Sequence, residues 1–135
     1  MIFTAVADTH AALWYLYADP RLSTRSTTFI NKAIADGLSI GVSPISLVEV
    51  VYLVEKSRVP ATAYDDLSAA LADPMGVLKE APLNAHVVRS MMLVLRQAVP
   101  DMPDRIIAAT AIHLAVPLLS RDGAFASPPS KPSGN

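Results

Sequence analysis

Apolar and polar positions divide the chain into short apolar runs alternating with helical segments. Phe3 to Ala7 is an apolar run that ends at Asp8-Thr9, the pattern of a buried strand feeding a helix. His10 to Tyr17 favours a helix stopped by Asp19-Pro20. Ser23 to Asp36 predicts a second, with Phe29, Ile30, Ala33 and Ile34 at helical spacing and Gly37 as its stop. Ser39 to Ser43 reads as a strand, and Ser46 to Ser57 as a helix with Leu47, Val50, Val51 and Val54 on one face. Pro60 opens a helix that Asp73-Pro74 closes, and Gly76 to Lys79 reads as a third strand. Asn84 to Ala98 predicts a long helix with Val87, Val88, Met91, Leu95 and Val99 on its apolar side. Pro103 begins another helix to about Ala115, and Val116 to Ser120 is the last strand.

The resulting order, βααβααβααβ, has a helical crossover between every pair of strands. Such crossovers predict an α/β fold: a three-layer α/β/α arrangement with a mostly parallel sheet of four strands, a fifth left open. The 135 residues fit one domain. Its expected extent is residues 1–126, followed by a Pro- and Ser-rich tail, residues 127–135, of the composition of disordered segments.

Composition removes several function classes. There is no cysteine, which excludes disulfides, thiolate metal sites and cysteine nucleophiles. The longest nearly uncharged run, Ile106 to Leu119, is shorter than the roughly 18 residues a membrane span needs. The opening residues lack the basic region of a signal peptide, so the expected setting is cytoplasmic, with no membrane partner. Eleven basic residues nearly balance twelve acidic ones, for a net charge of −1. Any nucleic-acid contact must therefore be local rather than spread over a basic surface.

Candidate chemistry rests on acids. Asp8, Glu49 and Asp122 each follow the C-terminal end of an expected strand. That end is the edge of an open α/β sheet where loops converge on a crevice. Asp104, near the start of a helix, can reach the same place. Each has a structural alternative: Asp8 as a helix cap, Glu49 as partner of Ser46 in a capping box, Asp122 in an Asp-Gly turn. Gathered together, such carboxylates repel one another and take up protons unless a cation is present. An all-oxygen ligand set suits Mg²⁺ or Mn²⁺, ions that support in-line displacement at a phosphodiester.

Four segments resemble PIN-domain ribonucleases of the VapC-toxin type. They are Val6-Ala7-Asp8-Thr9-His10-Ala11-Ala12-Leu13-Trp14, Ser43-Pro44-Ile45-Ser46-Leu47-Val48-Glu49-Val50, Asp101-Met102-Pro103-Asp104-Arg105-Ile106-Ile107-Ala108-Ala109-Thr110-Ala111 and Val116-Pro117-Leu118-Leu119-Ser120-Arg121-Asp122-Gly123-Ala124-Phe125. They stand in family order. The resemblance implies a PIN fold, a divalent-metal site, cleavage of single-stranded or structured RNA, a homodimer, and a cognate antitoxin that blocks the site. It assigns Asp8, Glu49 and Asp104 to the three core acids and Asp122 to the fourth. Asp101, one turn before Asp104, either joins the metals or caps the helix, and its place at the helix start favours the cap. Family members continue into another strand where this chain has its Pro/Ser tail.

Other readings stay open on sequence alone. One is a receiver or phosphatase-like α/β domain using Asp8 as phosphoacceptor; a catalytically silent PIN-like binding module is another. His10 stands where such a phosphatase needs its second acid, and a receiver's paired acids and lysine are missing. Thr9 and Ser120 either hold a water at the metals or bond local backbone. Arg105 and Arg121 either orient phosphate or a partner's carboxylate, or form surface ion pairs. Trp14, Tyr15 and Tyr17 read as core before groove. Met91, Met92 and Leu95 read as core or dimer contact. His10, His86 and His113 lack metal-ligand spacing with one another.

Overall fold

The computed structural model describes residues 1–121 and, by backbone alone, residues 125–126. The expected tail, 127–135, lies outside the described residues. Five strands form one sheet: β1 (Phe3–Ala7), β2 (Ser39–Val42), β3 (Leu78–Glu80), β4 (Leu118–Leu119) and β5 (Phe125–Ala126). Their order across the sheet is β3-β2-β1-β4-β5; the first four run parallel and β5 antiparallel. A short fifth strand thus forms. The order also differs from the 2-1-3-4-5 arrangement of receiver domains.

Among the described residues six α-helices connect the strands: α1 (Thr9–Leu16), α2 (Thr24–Ala35), α3 (Pro44–Glu55), α4 (Ala63–Ala72), α5 (Ala85–Ser90) and α6 (Met102–Leu114). Side-chain alternation in β1 assigns them to two faces. Ala5 and Ala7 join a core cluster with Ala12 of α1, Ile30 of α2, Val50 of α3 and Leu67 of α4. Val6, pointing the other way, packs with Ile107 and Ala111 of α6. The sheet is therefore the middle of three layers.

Two elements depart from the sequence expectation. The helix expected over 84–98 stops at Ser90 and tightens into a 3₁₀ turn at Met91–Leu93. Val94 then turns inward, 6% exposed, beside Val87 and Ala109. Arg105 Nη2 donates to the carbonyls of Met91 and Val94 at 3.0 and 3.2 Å, taking helix-end acceptors that a continuing helix would use itself. Met92 and Leu95, expected at a core or dimer contact, are 81% and 69% exposed and so are not core.

The start of α3 is the second departure. Ser43, not Ser46, caps it, accepting the Ile45 N–H at 3.2 Å, with Pro44 in the first turn. Gly37, with φ of +69°, ends α2 as expected. The other helix ends that turn left-handed use Ala18, Ser57 and Ala115.

Candidate active site

Strand register aligns the C-terminal ends of three neighbours. Ala7 pairs with Val42 of β2 on one side and Leu119 of β4 on the other. The next residues along each chain, Asp8, Ser43 and Ser120, therefore share one edge of the sheet. From that edge α1 and α3 depart, and the first turn of α6 lies close enough to contribute its acids.

Asp8 is fixed from two directions. Its Oδ1 accepts the Ala11 N–H at 2.8 Å, capping α1. Its Oδ2 accepts the Arg121 N–H, also at 2.8 Å. The capping role is real, yet it uses only part of each oxygen's acceptor capacity. Burial pushes the Asp8 carboxyl up, with the N–H groups of Ala11 and Arg121 pulling the other way.

Glu49 lies in the second turn of α3, too far along to form a capping box with Ser46. Its Oε1 accepts instead from the Thr9 hydroxyl. That hydroxyl also stands 2.9 Å from the Ser46 hydroxyl, and Thr9 and Ser46 are both buried. A hydroxyl has one proton, so when Thr9 gives it to Glu49, Ser46 supplies the proton of the second bond. The chain Ser46–Thr9–Glu49 orients the carboxylate through a 40-residue separation in sequence. Sequence reasoning assigned Ser46 to a cap and Thr9 to a local or water contact. The only available signal was that both hydroxyls adjoin the acid motifs.

Asp101 caps α6, with Oδ2 accepting the Asp104 N–H at 3.2 Å. It nonetheless stands with the acids: one carboxylate oxygen from each of Glu49, Asp101 and Asp104 lies within 4.8 Å of the others. Capping and membership of the cluster are compatible. Glu49 is raised by burial first, opposed by the Thr9 hydrogen bond and reinforced by the charges of Asp104, Asp101 and Asp8. Asp104 is raised by desolvation, then by Asp101 and Asp8. Burial raises Asp8, Glu49 and Asp104, and neighbouring carboxylates raise Glu49 and Asp104 further, a charge arrangement that a bound cation would relieve. The donor set fits Mg²⁺ or Mn²⁺.

A pocket of about 470 Å³ opens beside the cluster, lined by Asp8, Asp101 and Asp104 among others. Among its described lining residues, Arg121 carries the one permanent positive charge. His10 also lines it, its ring edge-on to Trp14 at 5.9 Å. Burial, then the Arg121 charge, lower the His10 imidazole, favouring its neutral form. Trp14 packs against the core, half-buried, with the Arg21 guanidinium 5.0 Å from its ring centre. Arg105 sits apart, occupied with the end of the 3₁₀ turn. His86 and His113, distant in sequence, stack at 6.1 Å, away from the lining of this pocket. Asp122 lies outside the described residues.

The family model described as the PIN domain matches residues 5–130. Comparison with curated protein sequences gives no match. Among solved structures, the chain is similar to one in the crystal structure of VapBC2 from Rickettsia felis bound to a DNA fragment from their promoter. The TM-score is 0.61 at 20% identity, over 87% of this chain and 86% of that one. Among the described residues, no helix is long and apolar enough to cross a membrane.

Proposed function

The chain belongs to the PIN-domain family, and on that footing we propose that it is a divalent-metal-dependent endoribonuclease. The observation that carries this reading is the meeting of Glu49, Asp101 and Asp104 within 4.8 Å beside the pocket that Asp8 lines. Residues from three separate segments are brought there at an energetic cost that structural roles alone do not require.

In this mechanism Asp8, Glu49 and Asp104 would hold the metal, Asp101 would join them while capping α6, and Asp122 would help hold a second metal or a water. When bound, Mg²⁺ or Mn²⁺ supplies an activated water and stabilises the leaving oxygen of an in-line displacement at phosphorus. The chain's own residues prepare the ground for it. Two backbone donors fix the Asp8 carboxylate, so it would meet a cation without rearrangement. Thr9 and Ser46 hold the Glu49 rotamer. Arg121, at the pocket's lining, offers positive charge to a phosphate that the acids would otherwise repel.

The same reading makes the chain the toxin of a toxin–antitoxin pair, held by a cognate antitoxin over this pocket and acting as a homodimer in the cytoplasm. The VapC resemblance implies all of this, and the likeness to a chain of the VapBC2 structure supports the antitoxin partner alone. Exposed apolar side chains on α3, Val48, Val51 and Tyr52, supply surface for such contacts.

The deciding experiment incubates purified protein with RNA in Mg²⁺, Mn²⁺ or a chelator, beside Asp8→Asn. Cleavage is expected only for the unmodified protein with metal. RNA left intact by the unmodified protein in both metals would overturn the proposal. Acid-dependent heat of metal binding without cleavage would identify a silent binding module instead.

A further inference from the structure

The pocket beside the acids has a second wall that metal chemistry does not use. Val99, Ile107, Ala108 and Leu118 line it with apolar surface, opposite in character to the carboxylates. Two separate parts of the core reach the surface here. Ile107 and Leu118 belong to the cluster beneath β1, while Val99 and Ala108 pack against the cluster around Val87 and Val94. Ile107 and Ala108 stand on α6 and Leu118 on β4, so most of the wall is fixed by packed elements, with Val99 joining it from the segment before α6. The pocket's volume, about 470 Å³, falls within the range of small-molecule sites.

Charge gives this wall a purpose. A nuclease usually gains affinity from lysines and arginines along the phosphate backbone. This chain has a net charge of −1, and acids crowd its candidate site. Beyond a metal at the acids, Arg121 is the one permanent cation of the described lining, so contacts to bases are left to supply much of the affinity. Resting on the ribonuclease reading, we infer that the apolar wall is a nucleobase subsite. It takes one unpaired base of the RNA next to the phosphate held at the acids. His10 adds the one described aromatic ring to the lining, its orientation set by Trp14. A base inside a duplex cannot present its faces to such a wall, so the subsite selects single-stranded or looped RNA.

The test uses a short fluorescein-labelled single-stranded RNA and a series in which each nucleotide in turn lacks its base. Anisotropy is read in Ca²⁺, with the full unmodified chain. Loss of one particular base should weaken binding by about tenfold, the size of one stacked base, while the others matter little. Ala108→Leu, which fills the wall with a helix-compatible side chain, should abolish that difference. The series on the unmodified protein decides the matter even if the variant folds poorly. If every abasic RNA binds like its parent while Mg²⁺ still supports cleavage, the base subsite is wrong and the ribonuclease reading stands. The wall would then suit a protein side chain instead. RNA neither bound nor cut overturns both.

Discussion

Asp8 Oδ2 accepts the Arg121 backbone N–H at 2.8 Å, joining the end of β1 to the end of β4 across 113 residues of sequence. With the Ala11 N–H on its other oxygen, Asp8 is a structural tie as well as a candidate ligand. Asp8→Ala removes both acceptors and should cost about 1–3 kcal/mol in urea unfolding. Asp8→Asn keeps one amide oxygen as acceptor and removes the buried charge, so it should cost less while still abolishing cleavage. An Asn variant as unstable as the Ala variant would contradict this account.

Burial raises Asp8, Glu49 and Asp104, and repulsion from neighbouring acids adds to it for Glu49 and Asp104. Without metal, the folded chain thus keeps protons that the unfolded chain has already released. These groups favour folding most below the ordinary carboxylate range and lose that advantage as pH rises through their raised values. Asp104→Asn should therefore stabilise the metal-free protein near neutral pH and gain little in acid, as followed by thermal melting. Metal affinity, measured by calorimetry, should begin to fail on acidification above the pH where an isolated carboxylate protonates.

Thr9→Val keeps the shape of the side chain and deletes the hydroxyl that holds Glu49 and Ser46. Metal-dependent cleavage should fall about 10–100-fold, as for other losses of a group orienting a metal ligand. Thr9→Ser, which restores the hydroxyl, should recover most of it. Equal activity in both variants would remove Thr9 from the site's machinery.

Arg105 adjoins Asp104 in sequence, but its guanidinium holds the Met91 and Val94 carbonyls. Arg105→Met should cost about 1–3 kcal/mol by taking a donor from the half-buried Val94 carbonyl, while the Met91 carbonyl keeps the Val94 N–H. The folded fraction should keep the metal affinity of the unmodified protein. A loss of metal affinity without loss of stability would place Arg105 at the acids instead.

Ala115 ends α6 with φ of 57°, a left-handed conformation that costs a residue with a Cβ. Its side chain is exposed, so glycine forfeits no packing. Ala115→Gly should raise stability by about 0.5–1 kcal/mol, the strain relieved less the added freedom of the unfolded chain. Chemical denaturation measures it directly, and a loss of stability would show that the backbone there is unstrained.

Much of this fold is legible along the chain because its causes are local. The apolar run Phe3–Ala7, helical spacing through Phe29, Ile30 and Ala33, and the turn at Gly37 each act within a few residues. The parallel sheet follows from the crossovers, and the segments holding Asp8, Glu49 and Asp104 could be recognised as motifs. The end of α5 could not be read, because Val94 and Leu95 both fit a helical apolar stripe. Contacts from distant residues, the Val87 and Ala109 side chains and the Arg105 guanidinium on its carbonyl, go with Val94 in the core.

The site divides in the same way. Sequence by itself determined which acids are present and which strand ends they follow. Tertiary structure decided that Ser46 supports Thr9 rather than capping a helix, that Asp101 both caps and stands among the acids, and that an apolar wall faces them. Capping and periodicity are short-range and leave a mark in neighbouring residues. Strand register and side-chain reach join residues far apart in sequence, and no local pattern encodes which partner each will meet.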